Sequence, residues 1–522
     1  MTRADPVTEA DVLREHARAR PAHPAIIFRD HVTSYAELDA RANGVANGLL
    51  SLQLARPGRV AILAKNSCAF FELLFGIMRA GLTVLPINWR LATPEIEFIL
   101  KDAQVEILFF DEEFARTAAE LRALCPALSH VMVLGGGGSC YTAQRDRSFS
   151  AWREANTDRD PDVSVSPEDI MIQLYTSGTT GEPKGAQISH RSSRQMRVME
   201  VQANENWMQW TWRDVAVVAL PNFHLSGTAW ALQWFARGAT CVVQERVDPN
   251  EFLRAIPRYR VSQLFAVPTV IEMMLASPVL ADTDLSSLQV VYYGGSPISP
   301  MLLHRALEAL RCSFVQIYGM TENNGTISYL TPADHTTGDD QLLKSCGRPL
   351  PAIDLRIMNA DGREVSRGEI GEICVKSPSL MSGYWRREGL CDGLFHGDYF
   401  RTGDAGYLNP AGYLFLVDRL KDMIVSGGEN IYPAEIERVL LQHPAIAEAA
   451  VVGVPDPRWG EVVTAVIVQR SPSLQEREVI DWVRQRISAY KAPKRVHFLK
   501  TLPRNPSGKV LKRVLREQLQ QH

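Results

Sequence analysis

The feature that most limits what this chain can fold into is the repeated exchange of short apolar runs with helical segments. The runs are "GRVAIL" (58–63), "QVEILFF" (104–110), "SHVMVLG" (129–135), "DIMIQLY" (169–175), "VAVVAL" (215–220), "ATCVVQ" (239–244), "VSQLFAV" (261–267), "LQVVYYG" (288–294) and "FVQIYG" (314–319). Each is rich in β-branched and aromatic residues and too short for a buried helix, so each reads as a buried strand. Strands that alternate with helices predict a large α/β body. The clearest helix lies in "TSYAELDARANGVANGLL" (33–50), where Ser34 and Glu37 form a capping box and Leu38, Ala42, Val45 and Leu49 recur at helical spacing.

After about residue 350 the texture changes to short strands and turns, with "NADG" (359–362) and "NPAG" (409–412) supplying hairpin chemistry. Beyond "DRLKDMI" (418–424) the chain reads as a compact α+β module. It has a helix through Ile436, Val439 and Leu440, strands "AVVGV" (450–454) and "TAVIV" (464–468), a helix in "REVIDWVRQRI" (477–487) and a strand "RVHFL" (495–499). The expected boundary falls near Lys421, giving domains 1–420 and 421–522. "GGGGS" (135–139) reads as a surface loop.

A chain of 522 residues with 46% hydrophobic and 22% charged residues can bury at least two cores. Its net charge of −3 gives no global case for nucleic acid or an anionic membrane as the main partner. Eight Cys fall in no CxxC pair or Cys/His cluster, which disfavours both a disulfide framework and structural zinc. The first residues, "MTRADPVTEADVLREHARARP", lack an apolar signal core, and "VAILAKNSCAFFELLFGIMRAGL" is broken by Lys65, Glu72 and Arg79. A cytoplasmic protein without a transmembrane segment is therefore expected; peripheral membrane contact and a homodimer are compatible with the sequence.

"YTSGTTGEPKGAQISH" (175–190) carries the first chemistry. A strand runs straight into glycines that let backbone amides approach a ligand, with Ser and Thr hydroxyls and Lys184 as donors, a combination suited to polyphosphate. It is not a Walker A loop, because Lys184 follows Pro183 and precedes Gly185.

This stretch resembles the phosphate loop of the adenylate-forming superfamily, which joins acyl- and aryl-CoA synthetases, luciferases and peptide-synthetase adenylation domains. Six further signatures follow in order: "PNFHLSG" (221–227), "YYGGSPIS" (292–299), "YGMTE" (318–322), "RTGD" (401–404), "DRLKDMIVSGGENIYPAEIE" (418–437) and "PRNPSGKVLK" (503–512). The resemblance covers nearly the whole chain. It implies an α/β fold, a large N-terminal body of mixed α/β subdomains plus a small mobile α+β C-terminal domain. The implied activity is ATP-dependent acyl-CoA synthesis: a carboxylate and ATP give acyl-AMP and pyrophosphate, then CoA displaces AMP.

Roles follow residue by residue from the same resemblance. Thr176, Ser177, Gly178, Thr179, Thr180, Gly181 and Lys184 would hold the β- and γ-phosphates, while Gly295, Ser296, Pro297, Tyr318 and Gly319 would border the nucleotide. Thr321 would contact the α-phosphate, and Glu322, with Thr179, would hold Mg²⁺, a hard cation that takes oxygen ligands. Asp404 would bind the ribose, and Arg419 would support the same ribose or the phosphate. Lys509 is the expected catalytic cation, bridging the substrate carboxylate and α-phosphate. Lys421 would be the hinge. Ser426, Gly427 and Gly428 would face the adenylate after the swing and Lys491 would meet CoA. His224 would border the acyl pocket, with a general-base role as second choice. Phe223, Leu225, Trp230, Gly294, Met320 and Gly325 would line that pocket. No Asp stands early in "PNFHLSG" to hold an amino group, so a medium or long fatty acid is expected over an amino acid. Rival readings are an aryl-acid–CoA ligase, an acyl-AMP ligase that loads a carrier protein, a luciferase-like oxidase and a non-catalytic binder.

Overall fold

The computed structural model describes residues 8–134, 147–177, 183–204, 210–387, 393–426, 429–456, 459–470, 472–504 and 510–520. "GGGGS" at 135–139 lies outside them. The chain divides into two compact units, residues 1–354 with 376–393, and residues 355–375 with 394–522.

The first unit is built on two sheets. One has nine strands, in spatial order Arg348–Pro349, Gly325–Leu330, Ser313–Met320, Val290–Gly294, Gln263–Phe265, Val215–Val218, Thr240–Val243, Pro24–Phe28 and His31–Ser34. The other has eight, in the order Gly383–Tyr384, Pro183–Ser189, Ile170–Ser177, Thr83–Pro86, Arg59–Leu63, Ile107–Asp111, His130–Leu134 and Arg147–Ser148. The middle strands of both run parallel and read as near-continuous apolar runs, as strands covered on both faces must. The helix Tyr35–Ser51 begins at Ser34, whose side chain accepts from the Glu37 backbone N–H, and it lies in the same apolar core as the helix Cys68–Arg79. That second helix carries the stretch whose charges excluded a membrane span. Its Glu72 is buried and paired with Arg41 at 3.2 Å and Arg153 at 2.5 Å.

The second unit holds two small sheets. In one, Asp354–Met358, Gly371–Lys376, Tyr399–Leu408, Phe395–His396 and Leu414–Arg419 associate mainly by antiparallel pairing. In the other, Glu429–Ile431, Ile424–Ser426, Gly460–Gln469 and Ile446–Asp456 are joined by Arg495–Phe498, with the helices Pro433–Leu440 and Glu476–Arg484 contributing to the core. A boundary near Lys421 assigns the first of these sheets to the N-terminal body, whereas in the structure most of it groups with the C-terminal residues. Among the described residues no helix is long and apolar enough to cross a membrane.

Candidate active site

The strands Ile170–Ser177 and Pro183–Ser189 form an antiparallel pair with Thr176 opposite Lys184 and Ser177 opposite Pro183, so their paired ends flank the Gly/Ser/Thr stretch. Gly178, Thr179, Thr180 and Gly181 lie outside the described residues. Lys184 is half-buried, with its ammonium 5.7 Å from the centre of the Tyr384 ring, and no carboxylate pairs with it among the described residues. A cation with no carboxylate partner among the described residues, at the end of this strand pair, suits an anionic guest.

"YGMTE" ends the strand Ser313–Met320. Tyr318 is buried beside the bulge at Tyr318/Gly319, and Gly319 must be glycine, since a Cβ there would lie 2.0 Å from the Gly325 carbonyl oxygen. The chain then tightens into the turn Thr321–Asn323 and reverses at Asn324, at φ 53°. This fold-back leaves Met320 opposite Gly325 in register, next to Thr321 and Glu322. Glu322 is 9% exposed, and its Oε1 accepts a 2.7 Å hydrogen bond from the Tyr384 hydroxyl. Burial, then the charge and hydrogen bond of Glu322, hold the Tyr384 hydroxyl well above the ordinary phenol range, so it remains a donor. No cation pairs with Glu322 among the described residues.

Beside this turn the strand Val290–Gly294 runs into Gly295, Ser296 and Pro297, all exposed. A Cβ on Gly294 would lie 2.3 Å from the carbonyl oxygen of Ile317, its partner in register, so only glycine lets the two strands approach this closely there. Tyr318, Gly319, Thr321, Glu322, Lys184, Tyr384 and the Gly294–Pro297 turn thus all belong to one compact unit.

The residues expected to line an acyl pocket fall in separate surroundings. Leu225 and Trp230 sit on the helix Leu225–Phe235, and the described neighbour of Gly325 is Met196. Trp230 is 6% exposed; its indole N–H donates to the Val217 carbonyl at 2.8 Å, and its ring lies 5.1 Å from Tyr292, 5.2 Å from Trp234 and 5.6 Å from Phe265. Trp210 closes the cluster by donating to the Tyr292 hydroxyl at 2.9 Å. Phe223 packs on Trp89 and His224, with Arg90 5.5 Å from its ring. Burial, and secondarily the Arg90 charge, push the His224 imidazole down to about 4, so it is neutral near pH 7. Its Nε2 has no hydrogen-bond partner among the described residues. A neutral imidazole can border a pocket and donate or accept one hydrogen bond, but so weak a base is a poor proton acceptor.

In the second unit, Asp404 is 7% exposed on the "RTGD" strand, opposite Arg419 in register. The turn is tied down by Glu372, which accepts from the Arg401 guanidinium at 2.8 Å and from the Gly403 N–H at 3.1 Å. Ser426 is buried at a strand end opposite Glu429 and Gly460. Lys491 donates to both oxygens of Glu435, at 2.7 and 2.9 Å, so its charge is already committed. Gly427, Gly428 and Lys509 lie outside the described residues, as do the side chains of Ser177, Arg419 and Lys421. Sequence reasoning missed Tyr384, Trp385, Arg90 and the Tyr292/Trp210 pair; the aromatic doublet of "SGYW" (382–385), set in a polar stretch, was the available signal for the first two.

The chain belongs to the family of AMP-binding enzymes: that family's pattern matches residues 13–385, and the pattern of the AMP-binding enzyme C-terminal domain matches residues 435–509. Within that class it is an AMP-forming acid–thiol ligase. It is 38% identical over 510 residues to the fatty acid–acyl-carrier-protein ligase ScoC of Streptomyces coeruleorubidus, covering 96% of this chain and 94% of that one. It is also 38% identical over 512 residues to the indoleacetate–CoA ligase of Aromatoleum aromaticum, covering 96% of each. Among solved structures, ATP-bound MatB from Rhodopseudomonas palustris superposes with a TM-score of 0.87 at 30% identity, over 98% of this chain and 99% of that one.

Proposed function

We propose that this chain activates a medium- or long-chain fatty acid with ATP to acyl-AMP and pyrophosphate, then transfers the acyl group to the thiol of CoA with release of AMP. The observation that carries the first half is the pairing of two unneutralised charges, Lys184 beside the hairpin turn and Glu322 on the strand reversal, both against Tyr384. A cation for the phosphates and a carboxylate for their counter-ion are what an adenylation site has to supply. The donor set fits Mg²⁺: an oxygen ligand, one oxygen held by a neutral donor and no competing cation among the described residues. When bound, Mg²⁺ neutralises phosphate charge. Glu322 would hold it with Thr179, Asp404 and Arg419 would orient the ribose, and Tyr318 would lie against the adenine. Lys509 would neutralise the substrate carboxylate and the α-phosphate, with Lys421 as the hinge between the half-reactions.

The apolar, aromatic surroundings of Trp230, with Trp234, Tyr292 and Phe265, support an apolar acyl group and keep an aryl acid as a competitor. A second reading for the acceptor, a carrier-protein phosphopantetheine thiol, is favoured by the occupied state of Lys491 and by the likeness to a carrier-protein ligase.

The test supplies ATP, Mg²⁺ and a panel of fatty and aryl acids, with either CoA or a holo carrier protein, and reads pyrophosphate release and thioester mass. Thioester on CoA, greatest with a medium- or long-chain fatty acid, is expected. Pyrophosphate release with product only on the carrier protein would move the assignment to the second reading, and no release with any acid would refute adenylation.

A further inference from the structure

We infer that Tyr384 is a positioning residue for Glu322, held in place by a strap of chain, residues 376–387, that ties the phosphate hairpin to the "YGMTE" reversal. This rests on the reading of Glu322 as the Mg²⁺-holding carboxylate.

The strap is fixed far more firmly than a surface connection needs. Ser379 Oγ donates to the Asn323 carbonyl at 3.0 Å, and the Met381 N–H donates to the Glu322 carbonyl at 2.8 Å. The Ser382 and Trp385 N–H groups donate to the carbonyls of Gln187 and Gly185, both at 2.8 Å, so Gly383–Tyr384 adds an edge strand to Pro183–Ser189. The Trp385 indole donates to the Asp102 carbonyl at 2.9 Å and lies beneath the Arg59 guanidinium, 3.3 Å from the ring centre. Arg387 reaches the Asp102 carboxylate at 3.2 Å.

One side of the strap therefore grips the turn that carries Glu322, and the other grips the strand that carries Lys184. Between them stands Tyr384, its hydroxyl on Glu322 Oε1 and its ring facing the Lys184 ammonium. A neutral donor on one oxygen fixes the rotamer of the carboxylate without neutralising it, and leaves the other oxygen for a cation. Groups that orient a metal ligand in this way are worth ten- to a hundred-fold in metal affinity. The ring, meanwhile, keeps the ammonium within cation–π range.

Tyr384→Phe deletes the hydroxyl and keeps the ring over Lys184, so it isolates the bond to Glu322. In the full chain, ATP affinity is measured by calorimetry without metal and along a MgCl₂ series, for the parent, Tyr384→Phe, Glu322→Gln and the double variant, with the melting temperature of each. For Tyr384→Phe we expect the Mg²⁺ concentration giving half the affinity gain to rise about ten-fold or more, with metal-free ATP affinity unchanged and the double variant no weaker than Glu322→Gln alone. If Glu322→Gln weakens the Mg²⁺ response and Tyr384→Phe does not, the positioning role is overturned. Equal loss by Tyr384→Phe with and without metal would also overturn it, since the hydroxyl would then act on packing or on Lys184. If Glu322→Gln titrates like the parent, the reading of Glu322 itself fails.

Discussion

Trp230 offers a direct test of the acyl assignment. Its indole is 6% exposed, bonded to the Val217 carbonyl and wedged among Trp234, Tyr292 and Phe265, so Trp230→Ala should open a space several chain carbons deep. Each buried methylene is worth about 0.8 kcal/mol. Four that newly find apolar surroundings would contribute roughly 3 kcal/mol, or about two orders of magnitude in kcat/KM for the longer acid relative to the parent's preferred one. The same change should cost about 3–5 kcal/mol of stability, so Trp230→Leu serves as a milder companion. The assay is pyrophosphate release across saturated acids of increasing length, with the melting temperature showing that each variant is folded. A folded variant whose chain-length profile matches the parent's would refute the placement of Trp230 in the acyl site.

Three further outcomes are expected. Lys509→Ala should abolish acyl-AMP formation while largely sparing thioester formation from supplied acyl-AMP; equal loss in both half-reactions would contradict its role in the first. Asp404→Ala should weaken ATP binding by about ten-fold or more, as loss of a charge-assisted hydrogen bond implies, and an unchanged ATP affinity in calorimetry would remove Asp404 from the ribose site. His190 is 1% exposed, its Nδ1 accepts the Glu9 N–H at 3.2 Å, and burial lowers its pKa to about 4. The unfolded chain then binds more protons between about pH 4 and 6.5, so stability is full above that window and falls by about 3 kcal/mol as pH drops through it. Urea unfolding at stepped pH should show that slope, and His190→Gln should flatten it.

What the sequence made legible and what it hid follow from the range of the interactions. All nine apolar runs became strands, because a strand covered on both faces must be apolar along its length. The pair Pro24–Phe28 and His31–Ser34 and the strand Pro183–Ser189 were not read out, since they lie at or near sheet edges where composition is mixed. Phosphate-loop and strand-reversal residues could be named because each motif is local. Tyr384 could not be tied to Glu322 from spacing, because 62 residues separate them and only the strap brings them together. The fate of the basic run was equally hidden. From Tyr490 to Arg516 there are nine Lys or Arg and no acid, a local excess that reads as a cationic face.

In the fold that excess is largely cancelled by carboxylates from elsewhere in the chain. Lys491 meets Glu435, Arg495 meets Asp456, Arg504 meets Glu448, Lys512 meets Glu437, Arg513 meets Glu517 and Arg516 meets Asp422, the last pair 94 residues apart. Long-range attraction depends on the summed field rather than on the count of one sign. The capture rate of a polyanion such as CoA by this unit should accordingly change little between low and physiological ionic strength, whereas nine bare cations would give a steep kinetic salt dependence.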